Sequence, residues 1–514
     1  MPSEATRRLI ERRLKDEVGR IDKDAPRRVA LVYPSPYAVG MSSLGFQRIY
    51  RSIQSMPGVA AERVFADDDG ERAGTRVTRP VSYEGRRELG EFPVLALSVA
   101  YELQLGTMVR MLDAAGIAPE RERRPANAPF LLVGGPLTFS NPLTLAGFAD
   151  AVVMGEAEGI VEGVLSVILE ASDKQAALTA LSRMPHVFVP ALHGDALPSI
   201  AACDDSMLPA WAPIRTPHTE LRNMFLLETE RGCSRGCTYC VMRRTTNGGM
   251  RVVPQEIVLE TVPIGAERVG LVGAAVSDHP RIVEILNALA DRGSEVGLSS
   301  LRPDRLKLGM VQALRRAGYR TLTTALDGPS QRLRDVIERR GQEQHYLGAA
   351  EHAKQCGMDR VKLYLMLGLP GETDADIDEC ARFVGELSRI LPVALGISPF
   401  CSKRNTPLDR LPYAGVDTVQ RRLQRLKRGL RGRADVRSVS AKWAWVEHVL
   451  SQGGMAEGLA VARAVRDGGT FAEFRRAFAE LGHAPDGRGY AEALPPIRPD
   501  RERKRLALVS GRQS

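Results

Sequence analysis

The chain has 514 residues, a formal net charge of +9, 44% hydrophobic and 5% aromatic residues. That length exceeds what one hydrophobic core sustains, so several domains are expected. No stretch approaches the ~20 consecutive apolar residues of a membrane span, and "MPSEATRRLIERRLKDEVGRIDKDAPRR" lacks the apolar segment of a signal peptide, so a cytoplasmic protein is expected.

Residues 1–24 form a basic lead-in. "RVALVYPSP" then reads as a buried strand, an apolar run stopped by prolines. The helix "SLGFQRIYRSIQSM" follows, with Leu44, Ile49 and Ile53 at helical spacing. The alternation repeats through the strands "AAERVFAD", "FPVLALSVA", "APFLLVGGP" and "FADAVVMGEAE", separated by helices such as "QLGTMVRMLDAAGI" and "IVEGVLSVILEA". Apolar strands alternating with helices predict a doubly wound, flavodoxin-like parallel sheet over residues 25–185. Residues 186–222 carry prolines and little periodicity, and read as a connector.

A second α/β series runs from 223 to 432. Its strands are expected at 224–230, 268–276, 295–301, 320–326, 360–369 and 392–398, with helices between them. Six βα units in order predict a partial (β/α)6 barrel of the TIM type. Residues 433–514 read as a small helical region with a basic tail, in which Trp443 and Trp445 stand out. Basic residues cluster in "VQRRLQRLKRGLRGR" and in the tail. Such clusters suit nucleic-acid phosphates, but they read first as a solvated helix face and a disordered end.

Seven cysteines fit a reducing compartment, and three of them crowd into "ERGCSRGCTYC". Cys233, Cys237 and Cys240 follow the first strand of the second series, where a βα barrel places its chemistry. Three thiolates are one short of a closed structural zinc site and odd for disulfides. They suit a 4Fe–4S cluster that keeps one iron open to an outside ligand.

"CSRGCTYC" resembles the CxxxCxΦC signature of radical S-adenosylmethionine (radical SAM) enzymes, with Tyr239 at the aromatic place. The resemblance covers residues 223–410. It implies a 4Fe–4S cluster on the three cysteines, S-adenosylmethionine (SAM) as co-substrate, an external flavodoxin- or ferredoxin-type electron donor, and reductive SAM cleavage that starts radical chemistry. It also implies SAM-binding positions. Gly273 stands in "VGAAVSD", where the family has a Gly-Gly-Glu-type turn and this chain lacks the acid. Ser299 follows the third strand, and Asp327 stands where the ribose is held. Arg339 suits the SAM carboxylate, and Leu369 in "LMLGLPGET" suits the adenine. "SPFCSKRNTP" resembles the end of the family's sixth strand.

The first domain resembles the cobalamin-binding-like domain that precedes many radical SAM barrels. The loops that carry this resemblance hold Tyr37, Gly40, Gly134, Gly135, Gly155 and Glu156. Cobalamin is implied as a second cofactor, and with it methyl transfer. No histidine precedes His186, so this domain supplies no histidine ligand to cobalt. Two alternatives stay open: an RNA-modifying radical SAM enzyme, and a non-catalytic iron–sulfur protein that senses redox state or binds a partner. Methylthiotransferases need a second cysteine triad, whereas Cys203, Cys356, Cys380 and Cys401 are far apart in sequence.

Overall fold

The computed structural model describes residues 3–69, 77–242, 249–298, 301–487 and 506–508. The chain divides into two compact units, Met1–Phe225 with Val449–His483, and Leu226–His448 with Ala484–Ser514.

The first unit is built on β1 (Arg27–Pro36), β2 (Val59–Ala66), β3 (Val94–Ser98), β4 (Phe130–Gly134), β5 (Ala151–Val153) and β6 (Val187–Phe188). Their order is 2-1-3-4-5-6. The first five are parallel, and β6 runs antiparallel to β5. The order 2-1-3-4-5 is that of a doubly wound, flavodoxin-like sheet. β6 lies in the stretch expected to be a connector; two residues are too short for a periodic signal. Val29–Val32 of β1 are buried because helices cover both faces of a parallel sheet. The helix Leu44–Ser55 starts where the Ser43 side chain accepts from the Phe46 N–H. It buries a stripe of Phe46, Tyr50 and Ile53, so Leu44 and Ile49 lie at the edge of the expected face.

The region beyond 433 is not wholly helical. Residues 434–438 form β15, and Val449–His483 belongs to the first unit. Fully buried Asn141 donates its Nδ2 protons to the carbonyls of Leu450, Ser451 and Gly453 at 2.8–3.2 Å. The helix Met455–Arg466 then approaches so closely that a Cβ on Gly458 would lie 2.1 Å from the Thr144 carbonyl oxygen. The basic lead-in folds too, as the helix Glu4–Lys15.

The second unit carries β7 (Phe225–Glu228), β8 (Glu230–Gly232), β9 (Met250–Val252), β10 (Arg268–Val272), β11 (Glu295–Leu298), β12 (Thr321–Asp327), β13 (Arg360–Leu367), β14 (Val393–Pro399) and β15 (Ala434–Ser438). All six expected strands are present as β7, β10, β11, β12, β13 and β14. Their hydrogen bonding runs in two arcs, β7-β10-β11 and β12-β13-β14-β15. On the outer side of the second arc, Leu363, Leu365, Leu395 and Ile397 pack against Ile377, Phe383, Val384 and Leu387 of the helix Asp374–Ile390. That helix begins with a capping box between Thr373 and Asp376.

The basic stretch near 419–433 is the helix Val416–Gly429. Its Arg422 is buried against Glu372, and Arg425 pairs with Asp374 and Asp378. Two of the stretch's basic side chains are therefore neutralised within the fold. Trp445 is a core residue whose indole N–H donates to the Ala484 carbonyl. Among the described residues no helix is long and apolar enough to cross a membrane.

Candidate active site at the cysteine loop

The three cysteines stand on the loop between β8 and β9, whose antiparallel pairing of Gly232 with Met250 closes the base of the loop. Gly232 sits at φ +92°, a conformation that side chains resist, and it turns the chain into the loop. The backbone of Thr238 stitches the loop to its surroundings on both sides. The Thr238 N–H donates to the Ile337 carbonyl at 3.1 Å, and the Thr238 carbonyl accepts from the Leu408 N–H at 3.3 Å. Cys233, Cys237 and Cys240 thereby line one cavity of about 160 Å³. Burial pushes the Cys233 and Cys240 thiols up to about 11 and raises Cys237 as well. Buried thiols hold their protons unless a cation compensates the thiolate.

This donor set fits a cluster better than a single ion. Among the described residues, no three His, Cys, Asp or Glu side chains are arranged to hold one metal ion. A cluster offers each thiolate its own iron, so it asks only that the three sulfurs line a shared cavity.

The same cavity collects Tyr239, Asp327 and Arg339. The Tyr239 hydroxyl donates to Asp327 Oδ2 at 2.8 Å. Arg339 Nε lies 2.5 Å from that same oxygen, an ion-pair contact without hydrogen-bond alignment. Arg339 Nη2 also donates to the Ala325 carbonyl at 3.3 Å. Burial raises the Asp327 carboxyl, and Arg339 opposes that rise. Asp327 itself is held at φ +62°, which turns its side chain at the very end of β12. The two side chains expected to take separate parts of SAM thus face each other.

Sequence reasoning missed a neighbouring ionic group. Asp278, beyond β10, pairs with Arg302, and Arg302 also pairs with Asp304. Arg235 of the cysteine loop joins it through Asp304 at 3.0 Å, and Ser234 Oγ lies 3.3 Å from Asp278. Arg235 and Arg302 both line the cavity. The available signal was "RPDR" directly after a strand, charge placed where a barrel opens.

Gly273 lies at the end of β10, and the sequence supplies no acid in its turn. The structure supplies one from β8. Glu230 is fully buried, its Oε1 accepts from the Ala275 N–H at 2.6 Å, and a Cβ on Gly273 would lie 2.0 Å from that oxygen. Burial pushes this carboxyl up to about 8, and its Oε2 has no hydrogen-bond partner among the described residues. Leu369 is fully buried in an apolar cluster with Leu333, Ile337, Phe400 and Leu408, against which Tyr239 packs. Leu369 thus supports the cysteine loop from below. Ser299 lies outside the described residues.

The six loop residues of the first sheet are brought onto one another or onto their own unit. Tyr37 is fully buried, stacks on Tyr83 at 5.0 Å and hydrogen-bonds Glu17. A Cβ on Gly40 would strike Phe65, and one on Gly135 would lie 2.7 Å from the Val99 carbonyl oxygen. Gly155 pairs with Ala201, and Glu156 Oε2 accepts from the Cys203 N–H at 2.8 Å. Gly134 is the roomiest, with Val153 as its neighbour at 3.8 Å. Apart from Gly134, these positions are close approaches within their own unit.

The other four cysteines form no second triad. Cys380 is in the core behind β13 and β14, Cys356 caps the helix Glu343–Gln355, Cys203 is buried in the first unit, and Cys401 lies 3.1 Å from the Ala444 carbonyl oxygen.

Comparison with known proteins matches the radical SAM superfamily over residues 227–384 and the N-terminal domain of radical SAM proteins over residues 45–190. An uncharacterised protein of Methanocaldococcus jannaschii, MJ0966, is 27% identical over 407 residues, 74% of this chain and 79% of that one. The ribosomal protein uS12 methylthiotransferase RimO of Desulfosudis oleivorans is 26% identical over 207 residues, 37% of this chain and 44% of its own length. The cobalamin-dependent SAM radical enzyme OxsB, solved with aqua-cobalamin bound, superposes at a TM-score of 0.48 with 12% identity, covering 71% of this chain and 53% of that one.

Proposed function

Because the chain belongs to the radical SAM superfamily, we propose that it is an enzyme that holds a 4Fe–4S cluster on Cys233, Cys237 and Cys240 and cleaves SAM reductively to begin radical chemistry on a substrate. The observation that carries this reading is the convergence of three thiols, Cys237 buried and Cys233 and Cys240 half-buried, on one cavity that also holds Tyr239, Asp327 and Arg339. When bound, the cluster supplies the single electron for SAM cleavage.

The remaining work falls to the chain's own side chains. Arg339 stands near Cys237 and favours its thiolate against the burial that opposes it. Asp327, held by Tyr239 and Arg339, presents a carboxylate edge at the cavity for hydroxyl donors. Glu230 fixes the Gly273–Ala275 backbone by accepting from the Ala275 N–H. The electron comes from an external flavodoxin- or ferredoxin-type donor, and a cytoplasmic setting suits that supply.

The absence of a second cysteine triad among the described residues argues against methylthiolation.

The test is anaerobic reconstitution with iron and sulfide, followed by dithionite reduction and measurement of 5′-deoxyadenosine. The wild type forms it, and Cys240→Ser does not. Equal yields from both proteins would refute the assignment.

A further inference from the structure

A closed βα barrel fills its interior with layers of branched side chains. The inner face of β12, β13 and β14 does not follow that rule. Alternation along these strands buries Leu322, Leu326, Leu363, Leu365, Leu395 and Ile397 on the helix side. The opposite side carries Thr323, Ala325, Lys362, Tyr364, Gly396 and Ser398, all half-buried or exposed. Tyr364 is 46% exposed although β13 is hydrogen-bonded on both edges. A large exposed ring in the middle of a sheet is the informative kind of exposure.

Its position is fixed by register. Ala325, Tyr364 and Gly396 pair across three adjacent strands. Ala325 lines the cysteine cavity, and adjacent strands stand about 4.8 Å apart, so Tyr364 is the next residue over from that cavity. A Cβ on Gly396 would lie 2.9 Å from Tyr364 Cδ1. Glycine there lets the ring lie over the neighbouring strand. Lys362 shares the face, with its Nζ 4.9 Å from the Tyr364 ring centroid.

The charge on this face is unbalanced. Asp327 is engaged by Tyr239 and Arg339, and Asp435 of β15 by Arg437. Among the described residues Lys362 has no carboxylate within ion-pair distance, and its ammonium lies against the Tyr364 ring. An ammonium beside an exposed aromatic surface recognises an anion joined to a flat ring.

We propose that Tyr364 and Lys362 form the substrate seat beside the cysteine cavity, taking a molecule with a planar ring and an anionic group. The ring lies on Tyr364 and the anion meets Lys362. The word substrate rests on the radical SAM reading; the seat itself does not.

Binding to the full-length protein without cluster tests the seat, by isothermal titration and saturation-transfer NMR. The probes are uridine monophosphate and indole-3-acetate, which share the chemistry but differ in source, with uridine and ribose 5-phosphate each carrying half of it. At least one two-part probe binds, and both half-probes bind about tenfold more weakly. Tyr364→Leu weakens the two-part probe about tenfold, and Lys362→Met abolishes its preference over the uncharged ring. Uridine monophosphate alone identifies a nucleotide, and indole-3-acetate alone an aromatic acid. Binding of neither at millimolar concentration, or unchanged binding in both variants, overturns the proposal. SAM cleavage by the reconstituted wild type, measured in parallel, separates failure of the seat from failure of the cluster assignment.

Discussion

The two units treat the loops at the carboxyl ends of their parallel strands in opposite ways. In the first, glycines at Gly135 and Gly155 admit other backbone of the same unit, and Glu156 is taken by the Cys203 N–H. In the second, the glycine at Gly273 admits a carboxylate, and the loops around it leave three thiols and Asp327 lining a cavity. A glycine at a strand end marks a close approach, and only the partner says whether the approach is structural or chemical.

The largest expected break in this contrast is on the open side. Cys237→Ser removes one cluster ligand, and iron content and 5′-deoxyadenosine formation fall to background while the circular dichroism of the fold persists. Next comes the buried pair. Arg339→Met leaves Asp327 charged and uncompensated, and urea unfolding should register a loss of about 3–5 kcal/mol. Asp327→Asn, which keeps the shape and removes the charge, should cost less.

Glu230 offers a pH signature. Its carboxyl titrates at about 8 in the folded state and near ~4.3 in an unfolded chain. Between those values the folded state binds a proton that the unfolded state has released. Its contribution is therefore full below the unfolded value, falls as pH rises at up to roughly 1.4 kcal/mol per pH unit, and is gone above about 8. In Glu230→Gln this slope should vanish from the stability–pH curve of the cluster-free protein. A wild-type curve that is level across that window would contradict the buried neutral carboxyl.

The smallest effect lies on the closed side. Gly155→Ala adds a Cβ at φ +89°, within 2.3–2.8 Å of Ile200 and Ala201. A loss of about 1–3 kcal/mol is expected in thermal or urea unfolding, with no change in SAM cleavage per cluster.

The elements were most legible where sequence signals are local. Each of the six main strands of the second unit is an apolar run bounded by turn residues, and the three cysteines fall within eight positions of one loop. β9 has three residues, and β15, "ADVRS", carries mostly polar, exposed side chains at a sheet edge, so neither gives a periodic signal. The return of Val449–His483 to the first unit depends on Asn141 and Gly458, whose partners lie some 300 residues away. Glu230 under Gly273 and Arg302 on Asp278 are likewise cross-strand contacts, which no spacing along the chain encodes. Arg339 and Asp327 were legible as members of the site, but their pairing with each other was not.

The most direct measurement is the electron paramagnetic resonance spectrum of the dithionite-reduced, reconstituted protein before and after addition of SAM. The account predicts a 4Fe–4S signal whose g-values shift when SAM is added, with the signal itself missing from Cys237→Ser. A reduced cluster whose spectrum ignores SAM, or one that survives in that variant, would contradict it.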